Sequence, residues 1–386
     1  MNNFTLWNPV RVHFGEGQIA KIPLEIPPGS KVLLLYGGGS IKSNGVYDQV
    51  NKYLKDYSVV EFGGIEPNPH YETLMKAVEI GRQKKVDFIL AVGGGSVIDG
   101  AKFVSVAVPF TQGDPWSIIT DGIDTAGNKI PLGAILTLPA TGSEMNKASV
   151  ITKASTKEKR GFLRDDLFPQ FSILDPTTTY SLPKNQIANG VVDAFVHTTE
   201  QYLTYPANAP LQDRFAESLL KTLIEEGPKA LALPEDYNIR SNIMWCSTMA
   251  LSGIIGCGVP QDWATHMIGH ELTAEFGIAH GTTLAIILPS TLRVMKKEKS
   301  GKLLQYAERV WNITLGSDEQ KIDEAIDKTQ GFFEAMGIPT KMSKHGVTKD
   351  SIDTMLGRLG EKGMVALGEH GSINLETSRK IMELSL

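Results

Sequence analysis

Cysteine is scarce: Cys246 and Cys257 are the only two in 386 residues, and they lack the short spacing of a CxxC motif. That excludes a disulfide scaffold and a cysteine-ligated zinc or redox motif, and both thiols read as small buried hydrophobes. A basic surplus is missing too. With 38 Lys+Arg against 43 Asp+Glu the formal net charge is -5, so the cationic surface that neutralises phosphates is lacking and no nucleic-acid partner is expected. No run of about 18 uninterrupted apolar residues occurs, and Met1-Asn2-Asn3-Phe4 offers neither a basic n-region nor an apolar h-region. No membrane partner is expected, and the protein reads as cytoplasmic. Repeats and low-complexity tracts are absent as well, which removes solenoids and disordered tails.

What is present is an ordinary globular composition, 41% hydrophobic and 21% charged. At roughly 100–200 residues per domain the length implies two domains, with a cleft between them available for ligands. From Lys31 to about Asp175, apolar β-rich runs alternate with amphipathic segments: Lys31 to Tyr36, Tyr71 to Lys85, Val86 to Val92. This βαβ pattern, with near-continuous apolar strands ending in glycine, predicts a Rossmann-like α/β domain with a doubly wound parallel sheet covered on both faces. Proline and threonine cluster at Asp175 to Pro183, and beyond them helical periodicity takes over, as in Phe215 to Lys229, Leu303 to Val310 and Ile322 to Met336. The expectation is a dinucleotide-binding α/β domain over 1–180 and an all-α, metal-binding domain over 181–386.

Three loops carry the case for a dinucleotide. Ala91 to Lys102 includes Gly93-Gly-Gly-Ser96, which follows a buried strand and opens a helix, where backbone N–H groups can cradle a pyrophosphate. It is not the standard GxGxxG, and such a turn can also serve packing alone. The loop Tyr36-Gly-Gly-Gly-Ser-Ile-Lys42 ends the first strong strand with no carboxylate where an NAD site would place one for the ribose 2′-hydroxyl. Backbone N–H groups with Ser40, and Lys42 beyond it, suit a 2′-phosphate instead, which favours NADP(H). The third loop, Thr137 to Asn146, is rich in hydroxyls suited to ribose or phosphate oxygens, or is an ordinary turn.

Histidine supplies the other signal. Asp193 and His197 stand four apart, as do His266 and His270, and His280 follows a Gly277-Ile-Ala turn. Residues at i and i+4 share a helix face, so each pair can aim at one point. A catalytic metal site takes three or four protein ligands and leaves a position open for substrate, so of these five candidates one histidine is spare; spacing does not say which. His13, His70, His345 and His370 are read as ordinary core or surface residues.

Through Gly93 to Asp99, Thr137 to Glu144, Asp193 to His197 and His266 to Gly281, the chain resembles the iron-containing, or group III, alcohol dehydrogenases over essentially its whole length. Within that family it looks most like the bacterial NADPH-dependent aldehyde reductases of broad substrate range. The resemblance implies a homodimer, with cofactor and metal meeting in the cleft. It implies Asp193, His197, His266 and His280 as ligands of one divalent ion, zinc or iron, and leaves His270 near the nicotinamide as a proton relay. It further implies Gly94, Gly95 and Ser96 on the pyrophosphate, Asp99, Thr137, Thr141 and Asn146 around the cofactor, Lys159 near its ribose and Asn68 close by; Gly38 and Ser40 belong to the phosphate loop read above.

The reaction expected from these parts is reversible, NADPH-dependent reduction of aldehydes to alcohols, with metal activation of the carbonyl oxygen. Two rivals are a dehydroquinate synthase-like lyase and a metalloprotein without turnover. The lyase needs basic residues for a phosphorylated substrate, yet Trp245 to Gly258 and Trp263 to Phe276 contain no Lys or Arg.

Overall fold

The computed structural model describes residues 1–123, 125 and 127–386. Its strands are β1 (Arg11–Phe14), β2 (Lys31–Tyr36), β3 (Ser58–Phe62), β4 (Phe88–Gly94), β5 (Leu132–Leu138), β6 (Ala148–Lys153), β7 (Glu158–Leu163) and β8 (Phe171–Leu174). Six of them form one sheet in the order β1-β8-β5-β4-β2-β3, every neighbouring pair parallel. β6 and β7 pair separately as an antiparallel hairpin.

Successive side chains of a strand point to opposite faces, and both faces here are apolar. Leu33, Leu35, Ile89 and Ala91 enter one core, while Val32, Leu34, Phe88, Leu90 and Val92 enter the other. Each such side chain, fully buried, stabilises the fold by about 1.5–3 kcal/mol, so neither face tolerates water. The covering helices follow in chain order: α1 (Ile22–Glu25), α2 (Ser40–Ser43), α3 (Val46–Leu54), α4 (Tyr71–Lys84), α5 (Gly95–Ala107) and α6 (Ser117–Thr120). α3, which follows β2, packs Val50 and Leu54 into the second core; α5, which follows β4, packs Ile98 and Val104 into the first, beside Leu74 and Val78 of α4. The helices after β2 and β4 thus lie on opposite faces. This marks a topological switch point between these two strands, where open α/β sheets bind ligands at the strands' carboxyl ends.

The helices that follow are α7 (Lys184–Tyr202), α8 (Pro210–Ala232), α9 (Tyr237–Ala250), α10 (Ala264–Phe276), α11 (His280–Val294), α12 (Ser300–Arg309), α13 (Asp318–Ala335), α14 (Lys349–Glu361) and α15 (Leu375–Ser385); all but the first part of α9, through Met244, belong to a second, helical unit. Ile268 and Leu272 of α10, Ile287 of α11, Met355 and Leu359 of α14 and Ile381 of α15 share one core. Both termini of α10 are local: Asp262 Oδ1 accepts the Ala264 N–H at 2.9 Å, and Gly277, at φ 66°, closes the other end and starts the short turn into α11. Among the described residues no helix is long and apolar enough to cross a membrane.

The two units are not cut once between 180 and 181. One comprises Trp7–Leu182 with Pro234–Met244, the other Met1–Leu6, Pro183–Leu233 and Trp245–Leu386. Hydrogen bonds give the reason for both exchanges. The Asn2 N–H reaches the Gly258 carbonyl at 2.8 Å, and buried Arg240 donates at 2.8 Å to both the hydroxyl and the carbonyl of Thr179. Periodicity along the sequence carries no trace of such returns.

Candidate metal and dinucleotide sites

Asp193, His197 and Glu200 fall on one face of α7 because they stand at i, i+4 and i+7. All are buried, among Val191, Val192, Phe195 and Val196 of the same helix. α10 adds His266, and α11 begins at His280 after the Gly277 turn. α11 approaches α7 so closely that a Cβ on Gly281 would stand 2.4 Å from the Asn189 carbonyl oxygen. Glycine at 281 is therefore what allows its neighbour His280 to reach Asp193.

The result is convergent. From Asp193 Oδ1 it is 3.6 Å to His197 Nε2, 3.9 Å to His266 Nε2 and 3.6 Å to His280 Nε2. Asp193, His266 and His280 form a cluster whose ligand atoms all lie within 4.8 Å of one another. The His197 ring stacks on His266 at 4.6 Å between centroids. Burial first, and the closeness of a second imidazole, His266, after it, hold the His197 imidazole well below its ordinary pKa, so it is a neutral donor as a metal ligand must be.

The proton on His266 is assigned by its neighbour. Glu200, 3% exposed, accepts the Thr265 N–H at 2.7 Å through one oxygen and pairs with His266 Nδ1 through the other. Nδ1 then carries the proton, and Nε2, which makes no hydrogen bond, keeps its lone pair toward Asp193. A buried lone pair facing two further imidazoles and a carboxylate fits a cation, and three nitrogens with one oxygen suit zinc or iron alike. His270, one turn past His266, has its ring 6.4 Å from that of His266 and 5.3 Å from that of His280. Trp263 stands against the same imidazoles, 5.2 Å from His266, with its backbone at φ 66°. For a large side chain this is a strained conformation, one held by its surroundings.

In the α/β unit the two glycine loops are neighbours, since Tyr36 of β2 pairs with Val92 of β4. α5 opens at Gly95 with no side-chain cap and no acidic residue in its first turn, which leaves the positive end of a 13-residue helix for an anion. A Cβ on Gly95 would meet Thr141 Oγ1 at 2.2 Å, so only glycine lets the third loop close over the first. Asn68, at φ 56°, donates its N–H to Ser96 Oγ at 3.2 Å, and Lys159 Nζ donates to Asn68 Oδ1 at 2.9 Å. Three residues far apart in sequence are thereby joined beside the start of α5. Lys159 lies on β7 and is 6% exposed, although Lys157 two residues before it stands exposed in a turn.

Asp99 occupies its carboxylate internally, accepting from Ser143 Oγ at 2.5 Å and the Val150 N–H at 3.0 Å. Thr137 closes toward the end of β5. Asn146 donates to the Thr141 carbonyl at 3.2 Å and is itself held by Lys102, whose Nζ bonds its side-chain oxygen at 3.0 Å and its carbonyl at 2.9 Å. Burial, against the pull of Asp99 and Glu144, lowers the Lys102 pKa to about 8. Lys102 and Glu200 both escaped the sequence reading. Glu200 had a usable signal: a carboxylate seven residues after Asp193 and three after His197, on the helix face those two residues share. Gly38 stays on the loop after β2, where a Cβ would meet nothing within 4 Å, and Ser40 opens α2 directly after it.

Two family models divide this chain between them. The iron-containing alcohol dehydrogenase model matches residues 9–176, and that for the C-terminal part of the Fe-containing alcohol dehydrogenase family matches 187–368. The chain belongs to the iron-containing alcohol dehydrogenase family. The chain is 55% identical over 384 residues to the NADPH-dependent aldehyde reductase YqhD of Escherichia coli (strain K12), covering 99% of each chain. The crystal structure of YqhD superposes with a TM-score of 0.98 at 54% identity, over 100% of this chain and 99% of that one. The probable NADH-dependent butanol dehydrogenase 1 of Bacillus subtilis (strain 168) is 41% identical over 391 residues, 100% of both chains.

Proposed function

We propose that this alcohol dehydrogenase reduces aldehydes to primary alcohols with NADPH, through a divalent ion held by Asp193, His197, His266 and His280. The observation that carries the reading is the approach of three imidazole Nε2 atoms to a single oxygen of Asp193, with the His266 proton pinned to the far nitrogen by Glu200. When bound, the ion supplies Lewis acidity at a carbonyl oxygen, and the reduced dinucleotide supplies hydride to the carbon.

This chain's own side chains account for the rest. Glu200 keeps His266 in the tautomer that binds. Trp263 shields two imidazoles from water on one side, strengthening their electrostatics. His270, one turn past His266, holds the proton that the product oxygen takes up. The cofactor residues are proposed as Gly94, Gly95 and Ser96 on the pyrophosphate and Gly38 and Ser40 at the 2′-phosphate. Asn68, Lys159, Thr137, Thr141 and Asn146 lie around the ribose and nicotinamide, with Asp99 ordering Ser143 from behind. Support comes from the uncapped helix at Gly95 and from the absence of a carboxylate on the β2 loop. Family resemblance also supports a homodimer, and two free buried cysteines suit the cytoplasm.

Loss of reduced-nicotinamide absorbance with a panel of small to medium aldehydes tests the reaction. Full activity in chelator-stripped, metal-free protein would sink the role given to the ion. Light scattering that returned the 42.1 kDa of one chain would remove the dimer.

A further inference from the structure

Lys42 lies two residues past Ser40, and its ammonium is held in place. Nζ stands 5.0 Å from the centroid of the Tyr36 ring, 4.7 Å from that of Tyr47 and 3.7 Å from Glu61 Oε2. Glu61 accepts both phenols, Tyr36 at 3.2 Å on Oε2 and Tyr47 at 2.6 Å on Oε1. The four side chains come from the last residue of β2, from α2, from α3 and from β3, so the cluster is assembled by the fold. An exposed Lys–Glu pair alone contributes little. Here two aromatic faces and two hydroxyls fix its orientation, and the lysine side chain stays 47% exposed, accessible to a ligand.

Tyr36 directly precedes the Gly37-Gly38-Gly39 loop, and the space at Gly38 is open. We infer that Lys42, with Glu61 as a built-in competitor, selects the dinucleotide by its 2′-phosphate. Resting on the NADPH reading above, this assigns each group a task. The phosphate carries about 1.5–2 negative charges and draws the ammonium from Glu61, which carries one. An unphosphorylated ribose cannot, so Lys42 then stays on the carboxylate. Glu61 limits the gain and so keeps the oxidised cofactor exchangeable, while Tyr36 and Tyr47 hold the ammonium within reach of the loop through cation–π attraction.

The test uses the intact enzyme, with kcat and KM measured for NADPH and NADH in wild type, Lys42→Met, Lys42→Arg and Glu61→Gln. Lys42→Met should lower the NADPH:NADH ratio of kcat/KM about tenfold through KM for NADPH, the size of one partly exposed charge-assisted contact. It should also flatten the salt dependence of that KM. Lys42→Arg should restore most of the ratio, and Glu61→Gln should lower KM for NADPH several-fold. A wild-type preference for NADPH that survives Lys42→Met, or a Glu61→Gln variant with raised KM for NADPH, overturns this inference alone. A wild type indifferent between the two cofactors overturns the NADPH reading and this inference with it.

Discussion

Replacing Glu200 by glutamine tests the metal centre without touching a ligand. The carboxylate offers two acceptors, to the Thr265 N–H at 2.7 Å and to His266 Nδ1. Glutamine offers one acceptor and one donor in the same volume. The backbone N–H of Thr265 can only donate. If the amide oxygen stays on Thr265, the amide N–H faces His266 Nδ1, which must then accept, and the imidazole proton moves to Nε2, the nitrogen facing Asp193. If the amide turns over, Thr265 loses its acceptor inside a site 1–5% exposed at Thr265, His266 and Glu200. Either outcome costs about 1–3 kcal/mol, which is roughly 5- to 150-fold in metal affinity. Competition against a chelator of known affinity reads this directly, apart from turnover, and the melting temperature of the metal-free proteins shows whether the fold has moved. Metal affinity within twofold of wild type would refute both the tautomer assignment and the place of His266 among the ligands.

Further outcomes follow from other residues. His266→Ala should lose metal and turnover together, read by metal analysis of dialysed protein. Gly281→Ala sets a methyl 2.4 Å from the Asn189 carbonyl; it should destabilise by about 1–3 kcal/mol and weaken metal binding by displacing His280, read as a lower melting temperature and lower metal content. Gly38→Asp has room for its side chain and should shift preference toward NADH by repelling the 2′-phosphate, measured as the ratio of kcat/KM values. Lys102 has a folded pKa of about 8 against an ordinary 10.5. The unfolded chain therefore holds the extra proton between those values, and this group's contribution to stability rises with pH across that window. The stability of wild type relative to Lys102→Met should grow by about 3 kcal/mol from pH 7.5 to 10.5, read by urea unfolding; a constant difference would contradict the burial of a charged lysine.

Much of this molecule was legible along the chain because the signals are local. The runs Lys31 to Tyr36 and Val86 to Val92 predict covered parallel strands, and alternate residues do enter two cores. The four-residue spacing of Asp193 and His197 puts them on one helix face wherever that helix packs. Lys159 shows the limit: within Lys157-Glu-Lys-Arg160 nothing marks one lysine as buried, since its burial on β7 comes with the pairing of that strand to β6 and with its bond to Asn68, 91 residues away. Arg240 shows it again, as a charged residue 1% exposed whose partner, Thr179, is 61 residues away.

The metal centre divides the same way. Sequence alone supplied five donors and a reason to discard one, because helix periodicity and the donor chemistry of imidazole and carboxylate are properties of residues and their spacing. Tertiary structure decided the rest: that three imidazoles reach one oxygen of Asp193, that Gly281 lets α11 close enough to bring His280 in, and that Glu200 fixes the proton on His266. These depend on the approach of one helix to another to within a few tenths of an ångström, a quantity set by packing across long sequence separations and carried by no local pattern.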